Sequence, residues 1–154
     1  MRWTSKEIDV YLSAKEYIDT VFITLVPISI HSELKQTVSM GEFSSILTNE
    51  VERQLHGRTL VIPPFTYFKN ESHDEKFQKL FQWIKEIKDN GFRYVFLFTS
   101  DNEWKLIEDK LDATLIWLPA IPLEHMDDKY KSEILHDQTK QILQIVTNQW
   151  QNET

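Results

Sequence analysis

The stretch Ser72-His73-Asp74-Glu75-Lys76-Phe77-Gln78-Lys79-Leu80-Phe81-Gln82-Trp83-Ile84-Lys85-Glu86-Ile87-Lys88-Asp89-Asn90-Gly91-Phe92-Arg93-Tyr94-Val95-Phe96-Leu97-Phe98 decides the fold class. In its first half Phe77, Leu80, Phe81, Ile84 and Ile87 recur at the spacings of one helical face. Ser72 and Glu75 open that helix as a capping box, the hydroxyl and the carboxylate each satisfying a free N–H of the first turn. Asn90-Gly91 closes it, because glycine takes the left-handed conformation of a helix end without steric cost. The second half, residues 93–98, is almost continuously apolar, as a strand covered on both faces must be. A helix that stops on glycine and runs into a doubly buried strand belongs to an alternating α/β chain.

The same grammar extends outward. Further apolar runs lie at 21–28, 59–62 and 113–118. Three more Ser/Thr-x-x-Glu signatures pair Thr4 with Glu7, Ser39 with Glu42 and Ser100 with Glu103. The first helix turns Ile8, Tyr11 and Leu12 inward. The second carries Phe43, Ile46, Leu47, Val51 and Leu55 and stops at Gly57, with Gly41 in its first turn. A short fourth helix carries Trp104, Ile107 and Leu111. A last helix over about 127–150 carries Ile134, Leu135, Ile142, Ile145, Val146 and Trp150. Strands alternating with helices pair in parallel through right-handed crossovers. The expectation is one three-layer α/β/α domain over 1–154, with a four-stranded, mainly parallel sheet of Rossmann-like topology. Residues 63–68, Pro-Pro-Phe-Thr-Tyr-Phe, read as a rigid segment that leaves strand two and folds over the sheet edge. Trp104 and Trp150 belong to the core by helical spacing, and residues 151–154 are expected to fray.

Composition narrows function. The chain has 154 residues, a net charge of −7 and no cysteine. Its arginines, Arg2, Arg53, Arg58 and Arg93, are dispersed, so an acidic chain without a basic patch does not read as a nucleic-acid binder. Lack of cysteine removes thiolate catalysis, disulfides and cysteine-ligated metal clusters, and suits a reducing cytoplasm. The longest uncharged stretches, 20–32 and 113–123, are too short for a membrane span. No G-x-G-x-x-G, P-loop or G-x-S-x-G is present, and no strand-following loop contains glycine, which disfavours nucleotide chemistry.

In an open parallel sheet, ligands bind beyond the carboxyl ends of the strands. The loops there hold His31, Glu33, His73, Asp101, Glu124 and His125, a donor set suited to zinc or manganese and to acid–base work. His31 and His125 are the first ligand candidates, with Asp101 bridging and Glu33 as base. The same residue types also serve as helix caps and solvated loop groups, Asp74 and Asp101 especially. Two functional readings follow. One is a non-catalytic binding module without a cofactor, meeting a protein partner through residues 63–68 or the last helix. The other is a small metal-dependent hydrolase.

Trp3-Thr4, Tyr17-Ile18-Asp19-Thr20, Met40-Gly41-Glu42-Phe43 and Pro63-Pro64-Phe65-Thr66-Tyr67 resemble the YpiF-like family of Bacillus-type bacteria, over nearly the whole chain. That family brings no activity. Its members tend to be encoded beside a menaquinol–cytochrome c reductase, so the resemblance implies a cytoplasmic accessory role near a respiratory complex. The course from Val21 to Trp104 is also similar to creatininase-like amidohydrolases, through Pro63-Pro64 and Gly91-Phe92-Arg93-Tyr94-Val95. That similarity implies a creatininase-like topology and a metal-dependent amidohydrolase. Where those enzymes carry Glu-x-His-Gly, this chain has Ile30-His31-Ser32-Glu33. Where they carry Gly-His-Gly-Gly-Asn, it has Ser100-Asp101-Asn102-Glu103-Trp104.

Overall fold

Thr20–Ile28 forms the central strand β1, buried on both faces along almost all its length. Around it, the computed structural model describes residues 1–152. In chain order the other elements are α1 (Ser5–Ser13), α2 (Leu34–Gln54), β2 (Thr59–Val61), β3 (Phe65–Phe68), α3 (His73–Asp89), β4 (Tyr94–Thr99), β5 (Thr114–Trp117) and α4 (Asp128–Asn152). A 3₁₀ segment, Asn102–Lys110, links β4 to β5. All strand pairs are parallel. The order is β2-β1-β4-β5, with β3 also paired to β1.

The three-layer α/β/α expectation holds, with five strands instead of four. Residues 63–68 do not simply fold over the edge, because 65–68 pair with the second half of β1 as β3. The edge is one strand broken by Pro63-Pro64, which can give no N–H to a ladder. Val61 faces Phe22 and Phe65 faces Leu25, so the edge spends one residue more than β1 does. This bulge reverses the alternation of side chains. In β2 Leu60 shares the face of Val21, whereas in β3 Phe65 and Tyr67 take that face.

Both parts of the edge are covered. Val61 N–H donates to Met1 C=O at 2.7 Å, and the Met1 α-amino group donates to Thr59 C=O. Phe68 N–H donates to Glu71 Oε1 at 3.2 Å, while Glu71 N–H returns to Phe68 C=O at 3.0 Å. An edge closed in this way offers little template for a further strand.

Period-two alternation divides the core. Val21, Ile23, Leu25, Val95, Leu97 and Leu115 face Leu80 and Ile84 of α3 together with Trp104 and Ile107. Phe22, Phe96, Phe98 and Ile116 face α2 and α4, which contribute Phe43, Leu47, Val51, Ile142, Val146 and Trp150. Trp104 and Trp150 are thus core residues, and Trp150 Nε1 donates to Thr20 Oγ1 at 3.0 Å.

Thr4, Ser72 and Gly91 act as expected: the two hydroxyls cap α1 and α3, and Gly91 has φ +97°. Other boundaries differ. α2 starts at Leu34, since no breaker separates Glu33 from Ser39, so Ser39, Gly41 and Glu42 are interior. Gly41 serves close packing instead, its Cα lying where a Cβ would come 3.0 Å from Val26 Cγ1. α2 ends before Gly57, whose φ is not positive. Asp101, not Ser100, caps the 3₁₀ segment. Leu12 and Ile145 are exposed, not inward. Of the tail expected to fray, Gln151 and Asn152 close α4, and Glu153 and Thr154 lie outside the described residues. No helix among the described residues is long and apolar enough to cross a membrane.

Inserting one alanine between Pro64 and Phe65 moves Tyr67 on by one register position, opposite Ile28 instead of Pro27, and turns it toward α2. The expected result is a loss of about 3 kcal/mol or more in urea unfolding, the scale of a disrupted core network, with loss of the near-ultraviolet tryptophan signal. A variant as stable as the parent would show that the residue count of the edge does not set the facing of β3.

Candidate functional site at the carboxyl edge of the sheet

The chain leaves β1 through α2 toward β2 on one side, and leaves β3 through α3 toward β4 on the other. The carboxyl ends of β1 and β4 therefore flank a topological switch point, where open α/β sheets place ligands. A cleft of about 770 Å³ opens there, lined by Ser32, Gln36, Lys69, Ser100, Asp101 and Trp117 among others. A second recess of about 400 Å³ adjoins it and shares Ser32, Glu33 and Lys69 with it.

A charged network reaches the wall of the cleft through Lys69 and Asp101. Asp101 is buried, yet its carboxylate is fully engaged. Tyr67 Oη donates to Asp101 Oδ2 at 2.7 Å, and Glu103 N–H donates to Asp101 Oδ1 at 3.1 Å. Lys69 Nζ reaches both carboxylate oxygens, at 3.2 and 3.3 Å. Tyr67 Oη accepts in turn from Trp104 Nε1 at 2.9 Å. Glu103 accepts from Lys69 at 3.2 Å and from the buried Lys76 at 2.7 Å. Ser100 is tied into the α2 layer, its Oγ 3.2 Å from Ser44 Oγ.

Local sequence explains this assembly. The bulge turns Tyr67 to the Trp104 face and puts Lys69 just past the strand end, where its N–H still donates to Ile28 C=O at 2.9 Å. Lys76 lies on the buried stripe of α3 with Leu80 and Ile84, and its long stem carries the ammonium to Glu103.

Burial, then the charge and hydrogen bond of Asp101, push the Tyr67 phenol well above its ordinary range. Burial draws the Lys69 ammonium down, but Asp101 and Glu103 outweigh it and the net shift is upward. Burial raises Glu103, and the Lys76 and Lys69 hydrogen bonds more than reverse this, so it ends lowered. Tyr67 and Lys69 thus keep their protons and Glu103 stays ionised through neutral pH. None of these three is poised for proton transfer at neutral pH.

The six candidates from the loops are distributed along this edge. His31 and Glu33 are exposed and line the second recess. His73 begins α3, stacks on Phe77 and lies 3.8 Å from Glu103. Asp101 belongs to the network. Glu124 and His125 are 3.4 Å apart on the exposed loop before α4, with Lys35 3.7 Å from Glu124. Asp74 sits in the first turn of α3. Among the described residues, no three of these six bring ligand atoms within 4.8 Å of one another.

The group that does is Glu7, Glu52 and His56, near the opposite edge. There the buried Glu52 carboxylate already holds the Met1 α-amino group at 3.0 Å, Arg2 Nε at 3.6 Å and His56 Nδ1 at 2.5 Å. Burial alone would raise Glu52, and His56 and the Met1 α-amino group hold it below the usual carboxylate range. Sequence reasoning missed Tyr67, Lys69, Lys76 and Glu103. Reading Phe65-Thr66-Tyr67-Phe68 as an alternating strand would have found the first two.

Residues 9–150 match the family described as "Protein of unknown function (DUF2487)". The chain belongs to that family. It is also 35% identical over 153 residues to the uncharacterized protein YpiF of Bacillus subtilis (strain 168), covering 97% of this chain and 98% of that protein. The YpiF-like resemblance is therefore correct. No solved structure matches the chain, and the similarity to creatininase-like amidohydrolases gains no support from these findings.

Tyr67→Phe is expected to destabilise the fold by about 2–3 kcal/mol, because a buried carboxylate loses its shortest donor and Trp104 Nε1 its acceptor. Urea unfolding of the variant measures this. For pH, the lowered Glu103 contributes stability above the ordinary carboxylate range and loses it as pH falls through its folded value. The raised Lys69 contributes below the ordinary lysine range and loses it as pH rises through its folded value. Glu103→Gln is expected to flatten the acid limb of the thermal stability profile.

Proposed function

We propose that this chain is a non-catalytic binding module, an accessory protein of one cytoplasmic domain whose partner or ligand seats in the carboxyl-edge cleft. One observation carries the reading. Asp101 and Lys69, the charged groups deepest in the wall of the cleft, are satisfied within the protein, with Asp101 taking donors from Tyr67, Lys69 and Glu103 N–H. A wall built this way holds its shape, and Tyr67, Lys69 and Glu103 behind it keep their resting protonation states at neutral pH. The link to a menaquinol–cytochrome c reductase rests on the YpiF-like resemblance.

The test is genetic and uses the whole protein. Deletion of the gene is expected to lower the assembled reductase, read by immunoblot of native gels. Ser39→Trp, which fills the cleft, is expected to reproduce the deletion at normal levels of the protein. Leu12→Ser, on the exposed face of α1, is expected to behave as wild type. Unchanged reductase in the deletion strain overturns the accessory role. Elemental mass spectrometry on untagged protein is expected to find no stoichiometric metal. Near-stoichiometric zinc or manganese, lost in His31→Ala or His125→Ala, would instead favour the metal-dependent amidohydrolase reading.

A further inference from the structure

α1 and α3 lie on one face of the sheet and leave a gap between them. Ile8 and Tyr11 of α1 pack with the cluster around Leu60, while Trp83 and Ile87 of α3 pack with the cluster around Val21. Ile62 and Phe92 touch both clusters. A groove of about 430 Å³ opens there, lined almost wholly by apolar side chains. It shares no lining residue with the carboxyl-edge cleft. Trp3 lines it and is 58% exposed, so the groove meets solvent. An apolar concavity of this volume with few polar groups is the usual form of a site for one small molecule.

The lining gives that molecule a sign. Glu86 is the one charged side chain that lines the groove. Its carboxylate accepts from Asn90 Nδ2 at 3.2 Å and forms no ion pair among the described residues. The lysines beside it on α3 are engaged elsewhere, Lys85 with Asp89 at 2.7 Å and Lys88 with Asp112 at 3.2 Å. Burial raises the Tyr11 phenol, which therefore stays neutral. Trp3, Tyr11, Trp83 and Phe92 line the same groove, and aromatic rings attract cations through their quadrupole. A net charge of −7 adds to this bias. An anion would meet Glu86 without a compensating cation, and a strongly polar neutral molecule would give up water against apolar walls.

We propose that the groove between α1 and α3 binds an organic cation with an apolar body, the body held between Tyr11 and Ile87 and the charged end at Glu86. The site is separate from the carboxyl-edge cleft and does not depend on the reading of that cleft. A primary ammonium carried on an aromatic ring system has this chemistry.

The experiment follows the five tryptophan indole N–H signals of the whole ¹⁵N-labelled chain by NMR at neutral pH. Trp3 and Trp83 are assigned by the signals missing from Trp3→Phe and Trp83→Phe. The probes share one ring system and differ in charge: 2-naphthylmethylamine, protonated at this pH, 2-naphthylmethanol and 2-naphthoate. The ammonium is expected to move the Trp3 and Trp83 signals along a saturable curve and to leave Trp150, in the α4 layer, in place. It is expected to bind roughly fivefold more tightly than the alcohol, and naphthoate more weakly than either. Glu86→Gln, a change at an exposed position, is expected to weaken the ammonium roughly threefold, the worth of one exposed ion pair, and to leave the alcohol unchanged. Alcohol or naphthoate binding as tightly as the ammonium overturns the cationic class. An ammonium affinity unchanged in Glu86→Gln overturns the place of the charge. No shift of Trp3 or Trp83 with any probe overturns the proposal and leaves the genetic test of the cleft untouched.

Discussion

Nine residues of β1 have to be satisfied on both edges and both faces, and the rest of the molecule is arranged around that demand. A fully buried parallel strand has no water to turn to, so each inward backbone group needs a strand beside it. β4 meets this along one side. On the other side the partner is a single edge broken by two prolines. The break has a structural consequence beyond the loss of two donors. Its extra residue reverses which side chains face α3, and so brings Tyr67 against Trp104 and Asp101.

That network is stable only as a whole. Asp101 is 1% exposed, and an isolated carboxylate at such a site would lose several kcal/mol of hydration. One ammonium does not restore it, since removal of any partner from a buried ion pair leaves the other charge uncompensated. Here the carboxylate has three kinds of donor: a phenol, an ammonium and a backbone N–H. The ammonium is shared with Glu103, and Glu103 also takes Lys76. Two lysines and two carboxylates thus balance in charge. The exposed pairs elsewhere, such as Lys85 with Asp89, are a different matter, because water screens them.

Much of the fold was legible because local and global signals agree. Ser72, the apolar stripe of α3, Gly91 and the run at 94–98 all specify the same helix–stop–strand unit. Trp104 and Trp150 were legible as core for the same reason. The failures have physical causes. The Ser39–Glu42 spacing mimics a helix start, but a helix without a breaker continues through a capping pair. Pro63-Pro64 hid β3, because prolines argue against a strand while a bulge tolerates them. The loop carboxylates and histidines were legible as a set on one edge. Their separation was not, because spacing along the chain does not give distance between loops. Lys69 and Lys76 were illegible for another reason: a lysine reads as solvated unless its partner, here Glu103 from a distant segment, is known.

The protonation states bear on what such an edge can do. A lysine serves as a nucleophile or base when burial or a nearby cation lowers its pKa. Lys69 is moved the other way by Asp101 and Glu103. A tyrosine serves as a base when something stabilises its phenolate, yet the neighbour of Tyr67 is an anion, which opposes ionisation. Reaction machinery brings the pKa values of its acid and base toward neutrality, whereas Tyr67, Lys69 and Glu103 are driven away from it. In the cleft between the start of α2 and the end of β5, Lys69 and Asp101 therefore pair with each other and with the network behind them.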